Sequence, residues 1–276
     1  MSRPPRIEIP DGVYHIVARG NERKTIYRDD VDHARFLETL RGTADRHGWR
    51  VLAYCLMSNH YHQLLSTPNA NLARGMRDLN GGYAQAFNRR HGRDGHLFQG
   101  RYKAVLVQAD EHMLAAVRYI IRNPVRAGVT EHVEQWPWTS HAATIGRTPP
   151  GFLAIDQLLS HFAANRATAR RRYLELLDSE PDPPAPEHPI IAGDTTFVAT
   201  QLQRIRPSPE HPRKQITPVP LSLDELLSTS SNASAIVRAH QTGYSMRQIA
   251  THLHCGVTTI HRRIRQHEHA NGTRKT

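Results

Sequence analysis

Met57-Ser-Asn-His-Tyr-His-Gln-Leu-Leu65 is an apolar run in which two histidines stand on either side of a tyrosine. In a β-strand, side chains two residues apart emerge on the same face of the sheet. His60 and His62 therefore point together, while Tyr61 points to the opposite face. Two adjacent imidazoles are half of a metal site, and their apolar neighbours predict a buried strand in which polar groups need partners.

The segments around this run have the spacing of alternating strands and helices. Strands are predicted over 12–18, 49–56, 60–66 and 102–107, and helices over 30–46, 72–90 and 110–123. The Gly81-Gly82 pair is expected to weaken or kink the second helix. The order β-α-β-β-α-β-α predicts an α+β fold, namely a ferredoxin-like βαββαβ catalytic domain with an extra catalytic helix after the last strand.

Three domains or segments are predicted along the chain. The catalytic domain is assigned to residues 8–135, and residues 136–220 are assigned to a helical extension with a proline-rich linker. Residues 221–268 are assigned to an α-helical helix-turn-helix domain that binds DNA.

The helix-turn-helix is predicted from two short helices, 245–253 and 258–266, that enclose a glycine-containing turn. Its core is expected to contain Ile249, Ala250, Leu253, Val257, Ile260 and Ile264. The DNA-contacting side of the second helix is expected to carry Thr258, Thr259, His261, Arg262 and Arg265.

A strong excess of positive charge favours a polyanionic partner. The 276 residues contain 36 Lys and Arg against 25 Asp and Glu, which gives a formal net charge of +11. Such a surplus predicts association with nucleic acid in the first place.

The cysteine content and the hydropathy place the protein in the cytoplasm. Cys55 and Cys255 are the only cysteines and lie far apart, so neither a disulfide framework nor a cysteine-rich zinc site is expected. No signal peptide is evident, and no apolar run approaches the roughly 20 residues that a membrane span needs. We therefore expect a soluble, cytoplasmic protein without a membrane partner.

The helix predicted from residue 110 offers a nucleophile and a third ligand. His112, Ala116, Tyr119 and Asn123 recur at helical spacing and form one stripe beside the apolar face. A phenol is a weak nucleophile toward a phosphodiester, and a metal that polarises the phosphate is its natural complement. Spacing alone does not decide between Tyr119 and Tyr102 as the nucleophile.

A basic, glycine-rich loop precedes the fourth strand. Its cations can follow a nucleic-acid backbone, and its aromatic side chain can stack on a base. The predicted DNA contacts in this part of the chain are Arg89, Arg90, Arg93, Phe98, Arg101 and Lys103.

Several motifs together resemble the REP-associated tyrosine transposases, a group within the single-tyrosine HUH transposase superfamily. The resemblance rests on His60-Tyr61-His62, on Gly95-His-Leu-Phe-Gln-Gly-Arg-Tyr-Lys-Ala104 and on Arg118-Tyr-Ile-Ile-Arg-Asn-Pro-Val-Arg-Ala-Gly128. Tyr14-His15 and Arg19-Gly-Asn-Glu-Arg23 also resemble the N-terminal pattern of these proteins. The combination is specific, although each motif alone is not.

The resemblance implies a role for each site residue. It makes His60 and His62 the ligands of a divalent metal, Mg or Mn, with Asn123 completing the coordination. It makes Tyr119, and not Tyr102, the nucleophile. The implied substrate is single-stranded hairpin DNA from repetitive extragenic palindromes, cut and rejoined through a 5′-phosphotyrosine with release of a 3′-OH.

The sequence leaves two other matters open. A helix-turn-helix regulator whose HUH domain is inactive is the alternative function, and it predicts salt-sensitive duplex binding without cleavage. The oligomeric state is expected to be either a monomer or a homodimer.

Overall fold

The chain forms two compact units, each described below by itself. The computed structural model describes residues 7–109, 111–179, 188–204, 223–227, 233–241 and 244–272. One unit contains the β-sheet and the helices that pack on it, and the other contains the helices from residue 194 onward. Most of the proline-rich linker predicted from the sequence lies outside the described residues. The predicted domain boundaries stay predictions.

The sheet unit contains five strands and seven α-helices in the described part of the chain. They are β1 (Gly12–Arg19), α1 (Asp30–His47), β2 (Arg50–Met57), β3 (His60–Thr67), α2 (Leu72–His91), β4 (Lys103–Val107), α3 (Glu111–Ile121), α4 (Asn123–Arg126), α5 (His141–Ile145), α6 (Ile155–Ser160), α7 (Arg166–Asp178) and β5 (Ile191–Ala192).

The strands form one sheet in the order β2-β3-β1-β4-β5. β3 is antiparallel to both β1 and β2, and β4 is antiparallel to β1. This is the strand arrangement of the ferredoxin-like βαββαβ fold, so the predicted α+β fold class is confirmed. β5 is an addition that pairs in parallel with β4. It was not predicted, because two residues carry no readable periodicity.

Helices cover both faces of the sheet. On one face α1 and α2 bury Phe36 and Tyr83 against Tyr61, whose ring centroid lies 4.7 Å from that of Phe36. On the other face α3 buries Val117 and Ile120 in a core shared with β2, β3, α6 and α7. His60 and His62 belong to this second face, because β3 alternates and Tyr61 occupies the first.

The helix that carries the candidate nucleophile ends earlier than predicted. α3 stops at Ile121, and Asn123 begins the separate short helix α4. Pro124 has no N–H to donate to the carbonyl of Ile120, so a continuous helix cannot pass this point without losing a hydrogen bond. The break turns Asn123 into the sheet unit, where it is buried.

α2 runs unbroken from Leu72 to His91, so the kink expected at the Gly81-Gly82 pair is not observed. The glycine with a structural role in this helix is Gly75. Its Cα faces the indole of Trp49, which is buried and donates a hydrogen bond of 2.9 Å from Nε1 to Asn71 Oδ1. A Cβ at residue 75 would overlap the indole ring.

The C-terminal unit is helical in its described residues. It comprises α8 (Thr195–Gln203), α9 (Leu223–Leu227), α10 (Ala233–Gln241), α11 (Met246–His252) and α12 (Val257–Gly272).

Most of the core predicted for the last two helices is confirmed. Ile249, Ala250, Ile260 and Ile264 are buried between α10, α11 and α12, and Leu253 packs against them. Val257 is an exception, because 44% of it is exposed at the start of α12. None of the helices in the described part of the chain is long and apolar enough to cross a membrane.

Two substitutions in α2 should have opposite effects on stability. We expect Gly75→Ala to lower the free energy of unfolding by about 1–3 kcal/mol, because the new methyl group displaces the Trp49 indole. Gly81→Ala adds a methyl group where no atom lies within 4 Å. It should raise the free energy of unfolding by about 0.5–1 kcal/mol through helix propensity. Urea unfolding measures both, and equal effects would contradict the packing described for Gly75.

Candidate active site

Three histidines meet on the α3 face of the sheet. In the antiparallel register Val17 lies opposite His62 and Arg19 lies opposite His60. His15 lies two residues before Val17, on the same face of β1. On β1, the imidazole of His15 therefore lies beside His62, and the guanidinium of Arg19 lies beside His60.

Each of the two β3 histidines has one ring nitrogen already engaged. His60 Nδ1 lies 2.7 Å from Asn59 Oδ1, and His62 Nδ1 lies 2.9 Å from His15 Nε2. The rings of His60 and His62 are 5.1 Å apart between centroids. In both residues Nε2 is the nitrogen not engaged by these two partners, and in His62 it faces the amide of Asn123.

α3 and α4 bring Tyr119 and Asn123 to the histidines. The Tyr119 ring lies edge-on to His62, with 5.4 Å between centroids, and to His15, with 5.7 Å. The amide Nδ2 of Asn123 lies 3.3 Å from His62 Nε2. The Arg126 guanidinium covers the Tyr119 ring, with Cζ 4.6 Å from the centroid. Thus the predicted nucleophile and all three predicted ligands converge.

The three imidazoles are held neutral at neutral pH. Burial lowers the pKa of His15 to about 4. Burial above all, together with His15, His60 and Arg19, places the pKa of His62 well below its ordinary value. Burial and Arg19 also lower the pKa of His60, although a hydrogen bond with Asn123 acts in the opposite direction. Neutral imidazoles keep the lone pairs that metal coordination requires.

The donor set fits a divalent metal that shares its coordination sphere with a substrate. Two Nε2 atoms and the Asn123 amide, which can turn to present its oxygen, supply a mixed nitrogen and oxygen set. Among the described residues, no three or more His, Cys, Asp and Glu side chains form a metal-binding group. Water and phosphate oxygens would thus complete the sphere, as is usual for Mg²⁺ at phosphate sites.

Tyr61, and Tyr102 as the rival nucleophile, belong to the opposite face. Tyr61 is fully buried and donates a hydrogen bond of 2.6 Å to Asn80 Oδ1 on α2. Burial is the main cause that raises the pKa of the Tyr61 phenol, and the nearby Tyr102 raises this pKa further. Lys103, the residue after Tyr102, is the one that pairs with Val17 on the histidine face. Neither the Tyr61 nor the Tyr102 phenol therefore shares the face of His60 and His62.

Arg90 has a structural role that the sequence did not indicate. Its guanidinium forms ion pairs with Asp29, at 2.7 Å, and with Asp32, at 2.5 Å. Asp32 is buried and also accepts a hydrogen bond from the backbone N–H of Arg28. His91 Nε2 lies 2.9 Å from the same carboxylate. This network fixes the end of α2 to the start of α1, so Arg90 is less available to DNA than predicted.

The other predicted contacts around the basic loop differ in exposure. Arg89, Arg101 and Lys103 are exposed, whereas Arg93 is half-buried above the Phe87 ring. Phe98 is half-buried and edge-on to Tyr61, with 6.1 Å between centroids. Lys103 alone in this group is placed by the register on the histidine face, in the row of Val17 and His62.

The predicted DNA face of α12 is largely exposed. Thr258, His261, Arg262 and Arg265 are exposed along one side of the helix, while Thr259 is half-buried. α11 and α12 are joined by a short turn in which His254 has a φ of 48°. Ser245 caps α11 by accepting a hydrogen bond from the N–H of Gln248. The DNA-binding role of this pair stays a prediction.

Four residues of the site were not singled out from the sequence as functional. His15 and Arg19 depend on the register of β1 against β3, and Asn59 depends on the hairpin that joins β2 to β3. Arg126 reaches Tyr119 only because the chain breaks between α3 and α4. Alternation along β1 was an available signal, since it places residues 15, 17 and 19 on one face, and His15 and Arg19 also belong to motifs that carry the family resemblance.

Comparison with known proteins identifies the class to which this fold and site belong. Residues 9–123 match the family described as Transposase IS200 like. These residues include the whole four-stranded core, both β3 histidines, Tyr119 and Asn123. The match covers less than half of the chain, and it bears out the predicted enzyme class, a DNA transposase.

A relative of the chain is assigned to the REP-associated tyrosine transposases. A Haemophilus influenzae protein assigned to that group is 24% identical over 140 residues, which cover 47% of this chain and 79% of the relative. The recognition made from the sequence motifs is thus confirmed.

Two solved structures are also similar to the chain. One is a REP-associated tyrosine transposase bound to a REP hairpin, with 19% identity, a TM-score of 0.47, and coverage of 56% of this chain and 90% of that one. The other is a protein from Deinococcus radiodurans assigned as a transposase, with 22% identity, a TM-score of 0.32, and coverage of 44% and 96%.

Two neighbouring arginines of α2 should separate a structural role from a DNA-binding role. We expect Arg90→Ala to lower the free energy of unfolding by about 1–3 kcal/mol, because the buried Asp32 carboxylate loses a charged partner. Arg89→Ala should change stability by less than about 0.5 kcal/mol. Its effect should instead be weaker, less salt-dependent binding of a single-stranded hairpin. Urea unfolding and binding titrations at several salt concentrations test both, and equal stabilities would contradict the role given to Arg90.

Proposed function

We propose that this chain cuts and rejoins single-stranded hairpin DNA of the REP type through a covalent bond to Tyr119. The observation that carries the proposal is the position of the Tyr119 ring, 5.4 Å from His62 on the face where Asn123 also meets the histidines. A nucleophile and three neutral donors in one place suit phosphoryl transfer.

The proposed reaction is a transesterification that conserves the phosphodiester. Tyr119 Oη attacks the scissile phosphorus, a bond from the phenol oxygen to phosphorus forms, and the bond from phosphorus to the 3′ oxygen breaks. The phenol proton leaves to solvent or a base, and the departing oxygen takes up a proton to become a 3′-OH. Attack by a 3′-OH on the 5′-phosphotyrosine reverses these steps, so a strand is rejoined without an external energy source.

A divalent metal, Mg or Mn, is part of the proposal. His60 and His62 would hold it through Nε2 and Asn123 through its amide oxygen. When bound, it supplies Lewis-acid stabilisation of the charge that develops on the phosphate. Metal dependence is general in the matched family, and the fit of the donor set supports it here. The choice between Mg and Mn is left to experiment.

The cations of the histidine face fit the substrate strand. Arg19 lies opposite His60 and is exposed, and Lys103 lies in the row of His62 and is exposed. A phosphate beside the histidines would therefore have a positive side chain on each of two strands. Among the predicted DNA contacts of the basic loop, we favour the exposed Lys103, Arg89 and Arg101, and we add Arg19 to them.

The hairpin substrate is proposed from the family resemblance. The H. influenzae relative is named for its association with REP sequences, and the motifs that define the resemblance are those that form the site. Arg93 and Phe98 keep their proposed roles along the strand, although both are half-buried.

The C-terminal helices are proposed to bind duplex DNA. Residues 246–267 contain Arg247, Arg262, Arg263 and Arg265 and no Asp or Glu. Arg262 and Arg265 are exposed on the same side of α12 as Thr258 and His261. The exposed Val257 at the start of α12 fits a contact with a thymine methyl group, which is a recognised use of apolar side chains in the major groove.

The alternative function, a helix-turn-helix regulator with an inactive catalytic domain, is less well supported. An inactive domain has no need to keep Tyr119, His60, His62 and Asn123 together. Their convergence, with a hydrogen-bonding partner on Nδ1 of each histidine, favours the strand-transfer function.

Removal of the phenol oxygen of Tyr119 should abolish covalent attachment and leave binding intact. Incubation with a labelled single-stranded hairpin and Mn²⁺, followed by a denaturing gel, should show a protein–DNA adduct for the native chain and none for Tyr119→Phe. Tyr102→Phe is the matched control and should form the adduct. An adduct of normal yield from Tyr119→Phe would refute the assignment.

The same assay tests the metal. His60→Ala should form no adduct because one ligand of the metal is lost, and a chelator should have the same effect on the native chain. Adduct formation that is insensitive to the chelator would exclude the proposed metal role.

Loss of two exposed arginines of α12 should weaken duplex binding and its salt dependence together. For the Arg262→Ala, Arg265→Ala double variant, the slope of log K against log salt should fall by about 2, which is close to one unit per phosphate contact. Arg166→Ala with Arg171→Ala removes the same charge from exposed positions of α7 and is the control. Equal slopes for the two double variants would argue against α12 as the duplex-binding helix.

A further inference from the structure

His15 contacts both the proposed metal ligand and the proposed nucleophile. Its Nε2 lies 2.9 Å from His62 Nδ1, and the two rings are tilted by 33° with centroids 5.1 Å apart. The Tyr119 ring is edge-on to His15, with 5.7 Å between centroids. Register explains this position, since His15 pairs with Leu64 and is therefore the diagonal neighbour of His62 across the β1–β3 pair.

The hydrogen bonds of His62 define which of its nitrogens carries the proton. A bond between two neutral imidazoles needs one donor and one acceptor. On the opposite side of the ring, Asn123 Nδ2 lies 3.3 Å from His62 Nε2, an arrangement in which the amide donates and Nε2 accepts. A metal bound at Nε2 would replace this contact, and the amide would then turn to present its oxygen. The proton of His62 is then on Nδ1, which donates to His15 Nε2.

His60 shows the same arrangement with a different partner. Its Nδ1 lies 2.7 Å from Asn59 Oδ1, an oxygen that can only accept. The amide nitrogen of Asn59 donates in turn to the Arg23 carbonyl at 3.0 Å, which fixes the side chain. Both β3 histidines are therefore held in the Nδ1–H form, in which Nε2 carries the free lone pair. Groups that hold a ligating histidine in this way affect metal affinity as a rule.

We propose that His15 is a positioning residue that holds His62 in the Nδ1–H tautomer and directs His62 Nε2 toward the metal. His15 is not itself a ligand, because its Nε2 is hydrogen-bonded to Nδ1 of His62. This nitrogen therefore lies on the Nδ1 side of the His62 ring, away from His62 Nε2. The inference rests on the proposed metal site. It adds His15 of the neighbouring strand β1 as a residue on which the metal-binding orientation of His62 depends.

Two variants separate the hydrogen bond from the packing of the ring. His15→Phe keeps a planar ring beside Tyr119 and removes the acceptor. His15→Gln keeps an amide oxygen that can accept from His62 Nδ1. Val17→Ala is the control, since Val17 lies directly opposite His62 and makes no side-chain hydrogen bond. Thermal unfolding of the full chain verifies that each variant is folded.

The first measurement is the affinity for Mn²⁺ alone, by calorimetry. We expect His15→Phe to weaken binding by about 10- to 100-fold. His15→Gln should recover most of the affinity, and Val17→Ala should bind as the native chain does. Native affinity in His15→Phe would overturn the inference, as would equal losses in the Phe and Gln variants.

The second measurement needs no metal and therefore separates this inference from the proposed metal site. Nitrogen-15 chemical shifts of the labelled imidazoles report which nitrogen of His62 is protonated. The native chain and His15→Gln should show the Nδ1–H form, and His15→Phe should lose it. An Nε2–H form in the native chain would overturn the inference. A native chain that shows the Nδ1–H form but binds no Mn²⁺ would refute the metal site and the metal-directing role of His15 with it.

Discussion

The strict two-residue alternation of β3 is the constraint on which the site depends. It sends Tyr61 into the core under α1 and α2, while His60 and His62 face α3. A shift of one residue in the pairing with β1 would exchange these faces and place a phenol where the ligands belong. Because both faces of β3 are covered by helices, such a shift would bury imidazoles in an apolar core, and the register is therefore strongly fixed.

The sequence predicted the parts of the fold and site that local periodicity encodes. The strand and helix order was readable, and so was the His60 and His62 pair, because each depends on spacing within one element. The choice of Tyr119 over Tyr102 came from family resemblance, since spacing alone could not show which face each phenol occupies. His15 was not assigned a role, because its partner is set by cross-strand register that no single element reveals.

The positive charge of the chain serves two purposes that its sequence does not distinguish. Arg118 precedes Tyr119 on α3 and Arg122 follows the end of α3, and their guanidiniums donate to the carbonyls of Ser179 and Leu177, respectively, at the end of α7. Arg118 is almost completely buried, at 1% exposure. These bonds hold the helix of the proposed nucleophile, and cations near the C-terminus of α7 also suit the dipole of α7. A formal net charge therefore overestimates the number of side chains free for DNA.

The electrostatics of the site explain why an imidazole, and not a carboxylate, stands behind His62. Among the described residues, the charges and rings that shift the pKa values of His60 and His62 are Arg19 and the histidines themselves. A carboxylate partner for His62 would orient the ring equally well, but its negative charge would repel the phosphodiester. A neutral imidazole accepts the same hydrogen bond and adds no charge. The proposed site can thus fix its ligands without placing a negative charge behind His62.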